Sequence, residues 1–153
     1  RYARSVTAVD ASPRMNELSR SRINNPKITY ITSDIFDWKP DRIYDAVFFG
    51  FWLSHIPPAR FESFWDLVRR TLAANGRVAF VDEDDRGADN DDRAVIDGVP
   101  SAQRRLGDGL VFDIVKVFWR PDDLESELKR LGWEVGIRRV GETFMFGAGR
   151  ALH

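Results

Sequence analysis

The chain reads as an α/β protein built on a largely parallel sheet covered by helices on both faces. Three observations support this. Short apolar runs alternate with amphipathic helical segments. The run Tyr44-Asp45-Ala46-Val47-Phe48-Phe49 is apolar almost throughout, as a strand buried on both sides requires. Two early runs end in acidic turns, Asp10-Ala11-Ser12-Pro13 and Ser33-Asp34-Ile35-Phe36. They lie at the strand ends where α/β sheets bind ligands.

Taken in order, Val6-Thr7-Ala8-Val9 is the first strand. Ser12 is a good N-cap with Pro13 at the first helical position, and Met15 and Leu18 give the helix an apolar side. Asn24-Asn25-Pro26 stops it, and Ile28-Thr29-Tyr30-Ile31-Thr32 is the second strand. After the third strand at Tyr44–Phe49, a helix begins near Pro58, with Phe61, Phe64, Trp65, Val68 and Leu72 at helical spacing. Asn75-Gly76 is expected to end it with a left-handed cap, before a fourth strand at Val78-Ala79-Phe80-Val81.

The texture then changes. Residues Asp82 to Asp97 are acidic and poor in aromatics, and are expected to form a mobile surface excursion. Leu110 to Phe118 alternates as one long strand. Pro121 to Leu131 is an amphipathic helix with Leu124, Leu128 and Leu131 on one side and Gly132 as its stop. Trp133–Ile137 and Thr143–Phe146 form either one bent strand or a hairpin. No internal repeat or linker divides the chain, so 1–153 is expected to be a single domain.

Composition bounds the function. With 153 residues, 43% apolar, and 11 Phe, 5 Trp and 3 Tyr, there is ample material for one core. A net charge of −1 lacks the basic footprint of a nucleic-acid binder, so no such partner is expected. With no Cys, disulfides, thiolate metal sites and cysteine nucleophiles are excluded together, and a reducing, cytoplasmic setting is expected. No apolar stretch approaches the roughly 20 residues that span a bilayer, so no membrane partner is expected. Nothing in the sequence speaks to oligomeric state.

The two acidic turns are the most informative feature. A carboxylate at one strand tip can accept both hydroxyls of a ribose, and a polar-then-apolar tip on the neighbouring strand can hold an adenine edge. Together they point to an adenosine-containing ligand.

At these residues the chain resembles the class I S-adenosylmethionine-dependent methyltransferases. The resemblance lies in Val6-Thr7-Ala8-Val9-Asp10-Ala11-Ser12-Pro13-Arg14-Met15, Ser33-Asp34-Ile35-Phe36 and Tyr44-Asp45-Ala46-Val47-Phe48-Phe49-Gly50. It extends to Phe118-Trp119-Arg120-Pro121-Asp122-Asp123-Leu124 and Leu131-Gly132-Trp133. It implies a three-layer sandwich with a mostly parallel Rossmann-like sheet and S-adenosylmethionine as cofactor. The family's first strand and glycine-rich loop are missing from this chain. The chain is therefore expected to be an N-terminally truncated fragment, inactive alone, with a gap between the strands at Val6–Val9 and Tyr44–Phe49.

The resemblance implies a cofactor-binding set of Asp10, Ala11, Met15, Asp34, Ile35, Gly50 and Phe51. Asp10 accepts from the ribose hydroxyls, or is instead a carboxylate placed to suit a helix N-terminus. Met15 packs its thioether on the adenine, or is plain core. Asp34 accepts from the adenine amino group and the Ile35 N–H reaches a ring nitrogen, unless Asp34 only closes an Asx turn. Gly50 allows close backbone approach. Trp52, His55, Phe112 and Lys116 are expected to line the substrate pocket.

His55, the only internal histidine, is the candidate catalytic base, with a turn residue bonded to backbone as the alternative. His153 is terminal and carries no signal. Asp82-Glu83-Asp84-Asp85 and Asp89-Asn90-Asp91-Asp92 lack the spacing of an EF-hand and read as solvated loop, with no metal. Phe146-Gly147-Ala148-Gly149 reads as a terminal strand with a frayed end rather than a displaced glycine loop. The sequence thus favours methyl transfer to a small-molecule acceptor. Two rivals remain, an NAD-dependent Rossmann oxidoreductase and a non-catalytic adenosine-binding or interaction domain.

Overall fold

The computed structural model describes residues 3–90, 92–105, 107 and 109–152. His153 and Asp91 lie outside them, and the acidic run at 89–92 lies outside the described side chains. The described residues form two compact units that divide between Asp41 and Arg42.

The first unit is a strand–helix–strand motif of β1 (Val6–Asp10), α1 (Pro13–Ile23) and β2 (Ile28–Thr32). The strands pair in parallel, from Val6 opposite Ile28 to Asp10 opposite Thr32. Ser12 Oγ accepts the Met15 N–H at 3.3 Å and Pro13 occupies the first turn, where its missing N–H costs nothing. Asn24 closes the helix at φ 38 and donates its N–H to Arg20 O, a left-handed position asparagine tolerates.

The second unit holds β3 (Tyr44–Gly50), α2 (Phe61–Thr71), β4 (Leu72–Glu83), β5 (Asp92–Ile96), β6 (Val99–Arg105), β7 (Val111–Val115), α3 (Pro121–Arg130), β8 (Trp133–Val140) and β9 (Phe144–Ala151). Its main sheet has the order β3-β4-β9-β8, and β5-β6-β7 form a separate sheet. The core lies on the main sheet, where Phe61, Phe64, Trp65, Leu67 and Val68 of α2 are buried. Burial of such side chains contributes about 1.5–3 kcal/mol each. Phe49 stacks on Phe80 with centroids 5.5 Å apart and meets Phe64 edge-on at 5.2 Å.

Several expectations need correction. Among the strands of the described residues, β1–β2 and β3–β4 pair in parallel, whereas β4–β9, β8–β9 and both pairs of the smaller sheet are antiparallel. Of the two alternatives for the last strands, the hairpin is the one formed, turning at Gly141 with φ 60, since residues 141–143 are too few to cross over. Asn75-Gly76 does not cap α2, which ends at Thr71, with Leu72 already extended. Gly76 is needed for space, since a Cβ there would lie 2.9 Å from Ala73 O. The long strand at 110–118 shortens to Val111–Val115.

The start of the acidic excursion is likewise not solvated. Asp82 and Asp84 are fully buried, and residues 85–90 form a 3-10 helix. The C-terminal glycine run is paired on both sides, because β9 lies between β4 and β8. A Cβ on Gly149 would lie 2.0 Å from Glu134 O, so glycine lets the two backbones close up.

Candidate functional site

In the first unit the parallel pairing brings the ends of β1 and β2 side by side. Asp10 faces Thr32, and the Ser33 N–H donates to Asp10 O at 3.1 Å. Both acidic turns are built alike. Asp10 Oδ1 accepts the Ser12 N–H at 2.7 Å, and Asp34 Oδ1 accepts the Phe36 N–H at 2.8 Å. These are Asx turns, and they engage one oxygen of each carboxylate. Among the described residues, Oδ2 of each makes no hydrogen bond. Asp34 O also accepts the N–H groups of Asp37 and Trp38, so the turn is held rigidly.

Asp10, Ala11 and Asp34 are exposed and Ile35 half-buried. Met15, in the first turn of α1, is half exposed, so it is not a core side chain here. Sequence reasoning missed Asn16. Its side chain is buried and Nδ2 donates to Ile31 O and Thr32 Oγ1, both at 3.1 Å, fixing α1 against the end of β2. Apolar periodicity gives no signal for a polar residue of this kind.

In the second unit Gly50 ends β3 opposite Val81. A Cβ on it would meet Val81 Cγ1 at 3.2 Å. Phe51 follows at φ 54, in the left-handed region that bulky side chains rarely enter. Its N–H donates to Val81 O at 2.8 Å. Trp52 is half-buried and 6.3 Å from Phe64 between ring centroids.

Next comes a 3-10 turn, Leu53–His55, that is stitched to residues 115–117. His55 Nδ1 donates to Val115 O at 2.9 Å, and the Val117 N–H donates to Ser54 O at 2.8 Å. Lys116 is buried. Its Nζ donates to Ser54 Oγ at 3.3 Å and pairs with Glu83 Oε2 at 2.5 Å. Asp82 Oδ2 accepts the Ser54 N–H at 3.3 Å and Oδ1 the Glu83 N–H at 2.8 Å. Lys116 also lines a cavity of about 400 Å³ with Ala94, Val95, Pro100, Ser101, Val117 and Phe118. Phe112, on β7, is exposed and is not part of that lining.

The acidic run thus has work the sequence did not reveal. Asp84 is paired with Arg86 at 2.7 Å and with Arg139 at 2.8 Å. Burial alone pushes its pKa up, but the hydrogen bonds from the Arg86 side chain and N–H, and then Arg139, outweigh it and hold the carboxyl below its ordinary value. Charge alternation in the sequence shows that partners exist, not that they converge.

Comparisons with known proteins place the chain in a family. A family model described as a methyltransferase domain matches residues 1–76. Two solved structures of DhpI, one with SAH and one with SAM and HEP, are each 38% identical to this chain. Both alignments cover 97% of this chain, against 66% and 69% of those chains, with TM-scores of 0.82 and 0.83. The chain therefore spans about two thirds of the DhpI chains it matches. An S-adenosylmethionine-dependent methyltransferase from Clostridium acetobutylicum shares the fold at 14% identity and TM-score 0.69, over 97% of this chain and 76% of that one. No curated protein matches the chain significantly.

Proposed function

We propose, from the premise that this chain belongs to the class I S-adenosylmethionine-dependent methyltransferases, that it serves methyl transfer to a small-molecule acceptor. The observation that carries the reading is the pair of acidic turns at adjacent strand ends, each with one carboxylate oxygen committed to the backbone and the other available. S-adenosylmethionine, when bound, supplies a methyl group on a sulfonium.

The chain's own residues bind and orient. Asp10 accepts the ribose hydroxyls, a charge-assisted pairing stronger than a neutral one. Asp34 accepts from the adenine amino group, the Ile35 N–H reaches a ring nitrogen, and Met15 and Ala11 lie against the base and ribose. In the second unit, Gly50 and Phe51 contribute cofactor contacts, while Trp52, His55, Phe112 and Lys116 serve the acceptor. Lys116 acts there largely through the turn it anchors, since Glu83 and Ser54 already hold its ammonium.

Transfer from a sulfonium needs an in-line approach and a dry, shaped pocket more than it needs an acid or a base. His55 is the candidate base, and its bond to Val115 O leaves Nε2 as the accepting nitrogen of the neutral ring. The acceptor is a small molecule, no nucleic acid takes part, and the setting is cytoplasmic. Among the described residues no helix is long and apolar enough to cross a membrane.

Calorimetric titration with S-adenosylhomocysteine and with NAD tests the proposal. Binding of the first and not the second is expected; the reverse assigns the chain to nicotinamide chemistry. Cofactor binding without methylation of any small acceptor would favour the non-catalytic reading.

A further inference from the structure

We infer that Phe144, at the start of β9, is a positioning residue for Phe51, and that the Asp84 cluster seats the hairpin end carrying it. The inference rests on the assignment of Phe51 to the cofactor contacts. Phe51 is an aromatic residue at φ 54. That conformation is costly for a bulky side chain and persists only where the surroundings hold it. Glycine would sit there without strain, so what the position provides is the ring.

Two contacts hold that ring in place. The Phe51 N–H is tied to Val81 O, and the Phe144 ring meets the Phe51 ring edge-to-face, with centroids 5.7 Å apart and planes at 78°. This is not ordinary core packing, because Phe51 is 53% exposed and Phe144 37%. Both residues stay partly open to the surface, and Phe144 restricts where the Phe51 ring can swing.

Phe144 is itself fixed from several directions. Its backbone pairs with Glu83 on one side and Val140 on the other. Thr143 O accepts the Asp84 N–H at 2.8 Å, and Phe144 O accepts from Arg86 Nη2 at 3.4 Å. Arg86 and Arg139 both close on the buried Asp84, and Arg139 extends from β8 of the same hairpin. The acidic end of β4 therefore sets the hairpin, the hairpin sets Phe144, and Phe144 sets Phe51.

The test is a double-mutant cycle read in S-adenosylhomocysteine affinity, with thermal unfolding of each variant alongside. Phe144→Ala should weaken binding about fivefold, Phe51→Ala at least as much, and the double variant no more than Phe51→Ala alone. Phe144→Tyr should restore wild-type affinity. If Phe144→Ala fails to fold, Phe144→Leu keeps the bulk, lacks the ring edge and should show the same loss. Wild-type affinity in Phe144→Ala or Phe144→Leu, or losses that multiply in the double variant, would overturn the inference. A wild-type-like Phe51→Ala would overturn it too while leaving the methyltransferase reading intact. A wild-type chain that does not bind S-adenosylhomocysteine removes that reading, and this inference with it.

Discussion

His55 donates through Nδ1 to the main-chain oxygen of Val115, 2.9 Å away. A carbonyl oxygen only accepts, so Nδ1 carries the proton and the neutral ring presents Nε2 as an acceptor. The 3-10 turn after β3 is thereby tied to the end of β7, and the one internal histidine is oriented by backbone.

This bond makes His55 a shaping residue first. His55→Gln should leave S-adenosylhomocysteine affinity unchanged and reduce turnover by less than about 100-fold, the lower range of general-base effects. Single-turnover methylation assays, run once an acceptor is in hand, check this. A larger loss with binding intact assigns the proton transfer to Nε2.

Asp10 should matter to binding rather than to stability, because it is exposed and its Oδ1 bond to Ser12 is local. Asp10→Ala is expected to weaken S-adenosylhomocysteine binding by roughly 2 kcal/mol, the scale of a lost charge-assisted hydrogen bond. Calorimetric titration measures it directly. Unchanged affinity would return Asp10 to a helix-terminus role.

Asp84 should matter to stability. Its carboxyl is held below the ordinary value in the folded protein, so its contribution is fully present above the unfolded-state pKa. It is lost as pH falls through the depressed folded-state pKa. Asp84→Asn leaves Arg86 and Arg139, each more than a third exposed, facing a neutral group, and should cost roughly 1 kcal/mol near neutral pH. Urea unfolding of both proteins at stepped pH should show the gap closing on the acid side of the carboxylate range. A gap that stays constant into acid would mean the charge is not what Asp84 supplies.

The glycines of the final hairpin divide sharply. Gly149→Ala forces a Cβ onto the Glu134 carbonyl and should destabilise by about 3 kcal/mol, the upper range for overpacking. Gly136→Ala, on the paired strand, meets nothing within 4 Å and should stay within about 0.5 kcal/mol of wild type. Thermal unfolding of the two variants side by side is sufficient. Equal effects would mean that β8 and β9 are not as closely apposed as Gly149 requires.

What was legible in the sequence followed from local rules. Ser12, Pro13 and Asn24 bound α1 because capping and left-handed tolerance act within a few residues. The spacing of Phe61, Phe64, Trp65 and Val68 marked the buried face of α2, because one helix face must carry the core. The acidic strand tips marked the candidate site for the same reason, each turn being closed by its own aspartate.

Tertiary structure decided the rest. The end of α2 moved back from Asn75-Gly76 because Tyr44 pairs with Leu72 across the sheet, and a distant strand outranks a local cap signal. Asp82 and Asp84 read as solvent-facing, since a run of carboxylates has no reason to be buried until its cations arrive. Those cations include Arg139 from β8, and Ser54 reaches Asp82 from another part of the chain. The sequence by itself determined the caps, the core face of α2 and the two carboxylates at the strand tips, because each depends on neighbours a few residues away. Only the fold could decide that Asp82 and Asp84 are buried, that Lys116 is held by Glu83 and that Phe144 meets Phe51, because each brings together residues more than 25 positions apart.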